Sequence, residues 1–166
     1  NLIVQKINKV LENWEVDNMY CDQPAFGIFH ESFFPLKLHV DSGRDKNTNI
    51  YKQILIPLSD MGDTIIFEPR WYGPSSSFTI DKDELSIKDG YNLRTNEHLG
   101  EKEFDREIHQ KYLSHENIEN LKGLKVKEIY KWELGDAFVF DRTFIHCSST
   151  LKKPKTGLTI FFKKTN

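Results

Sequence analysis

This 166-residue chain has only two cysteines, Cys21 and Cys147. Two cysteines make no disulfide framework, so both are expected to be free thiols in a reducing, cytoplasmic setting. No apolar run approaches the roughly 18 residues of a membrane span. No leader pattern opens the chain. There is no lysine or arginine run long enough to grip a phosphate backbone, and 23 basic residues against 25 acidic ones leave a net charge of −2. Nucleic acid and membranes are therefore not expected partners. Internal repeats and low-complexity segments are missing too. The first residue is Asn1 rather than Met, from which we expect that an N-terminal piece has been cut away.

What the chain does have is aromatic bulk, with 12 Phe, 6 Tyr and 3 Trp. That suits one compact β-rich domain over residues 1–166. Ile3, Ile7, Val10, Leu11 and Trp14 fall at helical spacing and predict a helix over 2–14. Residues 15–36 are punctuated by Pro24, Gly27 and Pro35 and leave room for one or two short strands. The stretch Tyr51 to Leu58 is the clearest strand, with Tyr51, Gln53 and Leu55 on one face and Lys52, Ile54 and Ile56 on the other. A turn over 59–63 and the run Thr64 to Phe67 make this unit look like a hairpin.

Residues 71–100 are mostly polar and are expected to be an insertion over the mouth of the fold, either a substrate lid or a solvated excursion. Trp71 and Tyr72 would line that mouth or anchor the loop. Residues 102–122 look helical, with Ser114 as a cap. Short strands follow over 126–132, 137–140, 144–147 and 157–162, with turns at Gly135-Asp136 and Asp141-Arg142. Many short strands with turns between them point to a mainly β barrel or jelly roll with flanking helices.

The chemistry lies in Lys37-Leu38-His39-Val40-Asp41 and, far downstream, Phe144-Ile145-His146-Cys147. In a strand, His39 and Asp41 share a face. With His146 from a distant strand they make two imidazoles and one carboxylate, a facial set that suits Fe(II) and leaves coordination positions open. His-x-Asp alone is weak evidence, since a shuffled chain of this composition would hold roughly 0.4 such matches. Its context is stronger: an apolar-flanked strand ending in a turn, and a second histidine on a late strand. Cys147 follows His146 and so faces the other way, where packing is the expected role. His30-Glu31 is tempting as a metal pair, but neighbours in a strand face opposite ways, and a surface or loop position is expected for His30. His98, His109 and His115 lie in polar or helical contexts and form no rival set.

These residues carry a resemblance. The order His39-x-Asp41, His146, then Lys155 leading into Gly157-Leu158-Thr159-Ile160-Phe161-Phe162 resembles the 2-oxoglutarate/Fe(II)-dependent dioxygenase superfamily. So do Gly135-Asp136-Ala137-Phe138-Val139-Phe140-Asp141 before His146, and Leu55-Ile56-Pro57-Leu58 before Gly62-Asp63-Thr64. The likeness spans residues 37–162 and is similar to prolyl-hydroxylase-like and phytanoyl-hydroxylase-like members. It implies a double-stranded β-helix of the jelly-roll, cupin-like kind, buttressed by the N-terminal helix. It also implies Fe(II), 2-oxoglutarate and O₂, and hydroxylation of a peptidyl (prolyl) or small-molecule substrate with release of succinate and CO₂.

In such members a buried cation receives the far carboxylate of 2-oxoglutarate. Lys155 is the candidate here, against a solvated charge in Lys152-Lys153-Pro154-Lys155, and Arg142 is the weaker rival. Several members carry a hydroxyl two residues after the cation, where this chain has Gly157; Thr159, on the same strand face, would supply it. Tyr51 and Gln53 are expected polar contacts to the co-substrate, as is Thr64 more weakly. Two other readings stay open. One is a cupin-like module that binds a metal or ligand without redox chemistry. The other is a structural β-sandwich with an accidental His-x-Asp.

Overall fold

The computed structural model describes residues 5, 9–16, 27–41, 51–71, 76–80, 91–93 and 100–164. Side-chain alternation sorts the strands into two sheets. The first holds β1 (Trp14–Val16), β11 (Lys155–Lys164), β4 (Tyr51–Pro57) and β9 (Phe138–Asp141), with β2 (Ile28–Ser32) pairing on β11 as well. The second runs β7 (Tyr91–Leu93), β6 (Ser76–Thr79), β3 (His39–Val40), β10 (Phe144–Ser148), β5 (Asp63–Arg70) and β8 (Val126–Lys131). Every pairing is antiparallel except β6 with β7. The chain is thus mainly β, and among the described residues the sheets do not close into a barrel.

The second sheet is covered on both faces. On one, Leu38, Val40, Ile65, Phe67, Ile145 and Cys147 pack with Phe104, Leu113, Leu121 and Leu124. Those last four come from the segment 104–124, which carries α1 (Arg106–Tyr112) and a 3-10 turn over Ile118–Leu121: Phe104 precedes α1, Leu113 caps its end, and Leu121 and Leu124 lie at and after the turn. On the other face a smaller cluster of Leu55, Ile66, Trp132 and Phe140 joins the two sheets. Full burial of one such side chain is worth roughly 1.5–3 kcal/mol. The two-residue period therefore decides which way β3 faces: Leu38 and Val40 go to the helical layer, and His39 turns toward the first sheet.

Several sequence expectations are corrected. Strands β4 and β5 do not form a hairpin. They pair in different sheets, β4 with β11 and β9, β5 with β10 and β8. The chain between them crosses from one sheet to the other, with Gly62 at φ 78 in the left-handed region. Hydrophobic alternation marks a strand but not its partner, which explains the error. Trp14 lies in β1, opposite Lys164, rather than on the N-terminal helix. Gln5, Lys9 and Val10 are helical, and Asn13 at φ 69 turns the chain before β1; the rest of that predicted helix lies outside the described residues.

Ser114 caps nothing: Asp105 accepts from the amides of Glu107 and Ile108 to start α1, and Asn117 accepts from Glu119 to start the 3-10 turn. Part of the 71–100 insertion extends the sheet, because β6 pairs with β3 beside His39. Trp71 anchors against Phe78, ring centroids 5.6 Å apart. Cys21, His98, Tyr72 and the polar stretches over 42–50, 81–90 and 94–99 lie outside the described residues. Among the described residues, no helix is long and apolar enough to cross a membrane.

Candidate metal centre

His39 and His146 are direct partners across β3 and β10, with ring centroids 4.2 Å apart. A bulge in the β10–β5 ladder between Phe144 and His146 shifts the register just before the second imidazole. Asp41 follows β3 and returns its carboxylate to both rings. Its Oδ2 lies 3.2 Å from His146 Nε2 and 3.8 Å from His39 Nε2. One ligand atom from each residue lies within 4.8 Å of the others, so His39, Asp41 and His146 form a cluster able to hold a metal ion.

The ring orientations fit that role. His39 Nδ1 donates to the Lys37 carbonyl at 2.6 Å, and His146 Nδ1 donates to the Phe144 carbonyl at 2.9 Å. Each bond therefore turns the other ring nitrogen, Nε2, inward. At His146 that nitrogen lies within hydrogen-bond distance of the Asp41 carboxylate, the place a bound cation would take between them. Donors about 2.1 Å from an octahedral ion sit about 3 Å apart in neighbouring positions, a spacing the Asp41–His146 pair at 3.2 Å nearly has and the Asp41–His39 pair at 3.8 Å exceeds.

The protonation states agree. Burial, then the neighbouring His146, lowers the His39 pKa to about 4. Burial works to raise Asp41, but the hydrogen bond with His146 and the nearby His39, His146 and Arg142 outweigh it and hold the carboxyl at about 2. A metal needs a neutral imidazole and an ionised carboxylate, and these two side chains supply them near neutral pH.

Strand β3 is held from behind. Glu116, buried in the helical segment, accepts from the Leu38 amide at 3.0 Å. Asn120 donates to the Phe78 carbonyl at 3.2 Å, and the Phe78 amide donates to the Leu38 carbonyl at 2.9 Å. These bonds clamp the residue just before His39.

The triad opens into a cavity between the sheets. Gln53 and Leu55 of β4, Lys155 and Thr159 of β11, Thr64 of β5, Ser148 of β10, His30 of β2 and Trp132 line it. Lys155 is 2% exposed, and its Nζ stands 3.8 Å over the Trp132 ring. Its hydrogen bonds are long, 3.4 Å to Ser148 Oγ and 3.5 Å to the Asp63 carbonyl. No carboxylate pairs with it among the described residues. Burial lowers its pKa to about 8, so near neutrality it is a buried cation short of a counter-charge. Arg142 is also fully buried, but it packs near Phe161 and does not line this cavity.

Gln53 donates from Nε2 toward His146 Nε2 at 3.4 Å, while its Oε1 is buried without a partner among the described residues. Thr64 Oγ1 accepts from Trp132 Nε1 at 2.8 Å, which leaves its own hydrogen for another acceptor. Thr159 Oγ1 bonds His30 Nε2 at 3.2 Å. The side chain of Tyr51 lies outside the described residues.

The structure therefore gathers His39, Asp41, His146, Gln53, Lys155, Thr159 and Thr64 around one space. It corrects His30, expected at the surface or in a loop, which stands on β2 and lines the cavity. Trp132, which the sequence marks only as the end of a strand, follows β8 and lines the cavity as well. Gly157 signals only that something approaches closely, as glycine within a strand does, and not which residues do. A Cβ there would lie 2.6 Å from the Trp132 ring and 3.1 Å from His30. A larger cleft along α1, lined by Glu103, Arg106, Glu119 and Lys122 among others, mixes both charges and contains none of the triad.

Compared with protein-family models, curated proteins and solved structures, the chain matches none of them.

Proposed function

We propose that the chain is an Fe(II)- and 2-oxoglutarate-dependent dioxygenase with a double-stranded β-helix, which hydroxylates an unactivated C–H of a peptidyl (prolyl) or small-molecule substrate. The observation that carries this reading is the shared cavity. A buried lysine lacking a carboxylate partner opens onto the same space as a two-histidine, one-carboxylate cluster. A metal-binding module needs no such cation, and a structural sandwich gains nothing from burying one, because desolvating an unpaired charge is costly.

His39, Asp41 and His146 would hold the metal, and a 2-oxo acid binding beside them would send its far carboxylate to Lys155. The bound iron, 2-oxoglutarate and O₂ would supply the oxidising power, with succinate and CO₂ as products. The protein's own work is placement. The two Nδ1 bonds fix the imidazoles, Trp132 and Leu55 keep the Lys155 end dry, and Thr64 offers a hydroxyl hydrogen. Leu36 lines the cavity yet is 47% exposed, and Phe33 and Phe34 just before it are also open to water. The substrate would approach past this apolar lip.

The test is an anaerobic titration of the metal-free protein with Fe(II) and then 2-oxoglutarate, watched for the visible charge-transfer band of the chelated complex. The band should form in the wild type and vanish in His39→Ala. Metal binding without the band would leave the cupin-like module instead. No metal binding in a folded protein would leave a structural sandwich.

A further inference from the structure

The neighbourhood of Gly157 holds one group that the metal and the lysine leave unused. Lys155, Gly157 and Thr159 share a face of β11, and the middle one has no side chain. Opposite that gap, paired directly with Gly157, stands His30 of β2. Its ring lies edge-on to Trp132, centroids 6.2 Å apart, and Trp132 in turn lies under the Lys155 ammonium. Thr159 Oγ1 bonds the Nε2 of His30 at 3.2 Å, so one end of the ring is fixed. The other end, Nδ1, is buried and has no hydrogen-bond partner among the described residues. A buried nitrogen left unmatched is costly, and His30 lines a cavity whose wall also carries the Lys155 ammonium, which has no carboxylate partner among the described residues.

We propose that His30 is a binding residue for a small dicarboxylate, donating from Nδ1 to the carboxylate that Lys155 receives, with Thr159 setting the tautomer by donating to Nε2. This deepens the reading above and rests on it. If the Thr159 hydroxyl donates, Nε2 is the acceptor and a neutral ring carries its hydrogen on Nδ1. Two donors then converge on one carboxylate. Burial and Lys155 both disfavour a proton on His30 beyond that one. The absent side chain at 157 is what allows the arrangement, because any Cβ would occupy the space where His30 and Trp132 meet.

The experiment compares wild type, His30→Phe and His30→Asn in the anaerobic Fe(II) titration, using 2-oxoglutarate and 2-oxopentanoate. The second compound keeps the chelating 2-oxo acid and lacks the far carboxylate. Phenylalanine keeps the ring in the gap without a donor, and asparagine restores a donor of similar reach. The expected result is affinity for 2-oxoglutarate at least about 10-fold weaker in His30→Phe, partly recovered in His30→Asn. Binding of 2-oxopentanoate and of Fe(II) alone should match wild type. Equal losses for both oxo acids in His30→Phe would overturn the proposal in favour of a packing role, and so would no loss for either. A wild type that never develops the band overturns it together with the dioxygenase reading, whereas a normal wild-type band with an indifferent His30→Phe removes only the role of His30.

Discussion

His39 and His146 face each other across antiparallel strands, and each imidazole donates its Nδ1 hydrogen to the carbonyl of the residue two places before it. The same local device thus appears on two strands more than a hundred residues apart in sequence. It aims both Nε2 atoms at Asp41 before any ion arrives.

Because the site is built in advance, removing one ligand should abolish binding without unfolding the chain. His39→Ala, His146→Ala and Asp41→Asn should each weaken divalent-metal binding by more than the roughly 100-fold that outer-shell partners command. Calorimetric titration with Fe(II) or Co(II) measures it, and circular dichroism checks the fold.

Lys155 should act against stability and for binding. Its pKa is near 8 in the fold and 10.5 when free, so the folded state holds fewer protons than the unfolded chain between those values. Stability conferred by the neutral amine is present at high pH and lost as pH falls through 8. Lys155→Met should therefore stabilise the metal-free protein at pH 7 by about 1–3 kcal/mol, measured by urea unfolding. The same change should remove tight 2-oxoglutarate binding. In the wild type, affinity for that dicarboxylate should decline as pH rises through about 8.

His39 should make the metal-free protein sensitive to acid. With a pKa of about 4 in the fold against 6.5 when free, it is the unfolded chain that takes up the proton first. Its contribution is whole above pH 6.5 and lost as pH falls through 4, by about 1–3 kcal/mol. His115, lowered to about 4 by burial, then by His109 and Lys37, adds a similar slope. Denaturation midpoints across pH 4–7 should flatten in His39→Leu, and bound metal should steepen the wild-type loss, since protons compete for the ligand.

Gly157→Ala should be poorly tolerated. The new methyl would lie 2.6 Å and 2.8 Å from two Trp132 ring atoms, an overpacking worth about 1–3 kcal/mol. The displaced indole would press on Lys155, 3.8 Å above it. Thermal unfolding should show the loss of stability, and Gly157→Ala with Trp132→Leu should recover part of it.

Much of the candidate site was legible in the chain. The two-residue period of a strand by itself puts His39 and Asp41 on one side and Leu38 and Val40 on the other, and it turns Cys147 away from His146 into the apolar layer. The same local rule marked β4, β5 and β11 as strands. Only the tertiary structure decided which strands bond to which: β4 and β5, five residues apart in sequence, went to different sheets, so Gln53 meets His146 across the interior. It also decided that Lys155 is buried rather than solvated beside Lys152 and Lys153, and that His30 and Trp132 close the cavity around it. Alternation is a property of one strand, set by backbone geometry. Sheet partnership and cavity lining depend on contacts between segments far apart in sequence, and no local pattern encodes them.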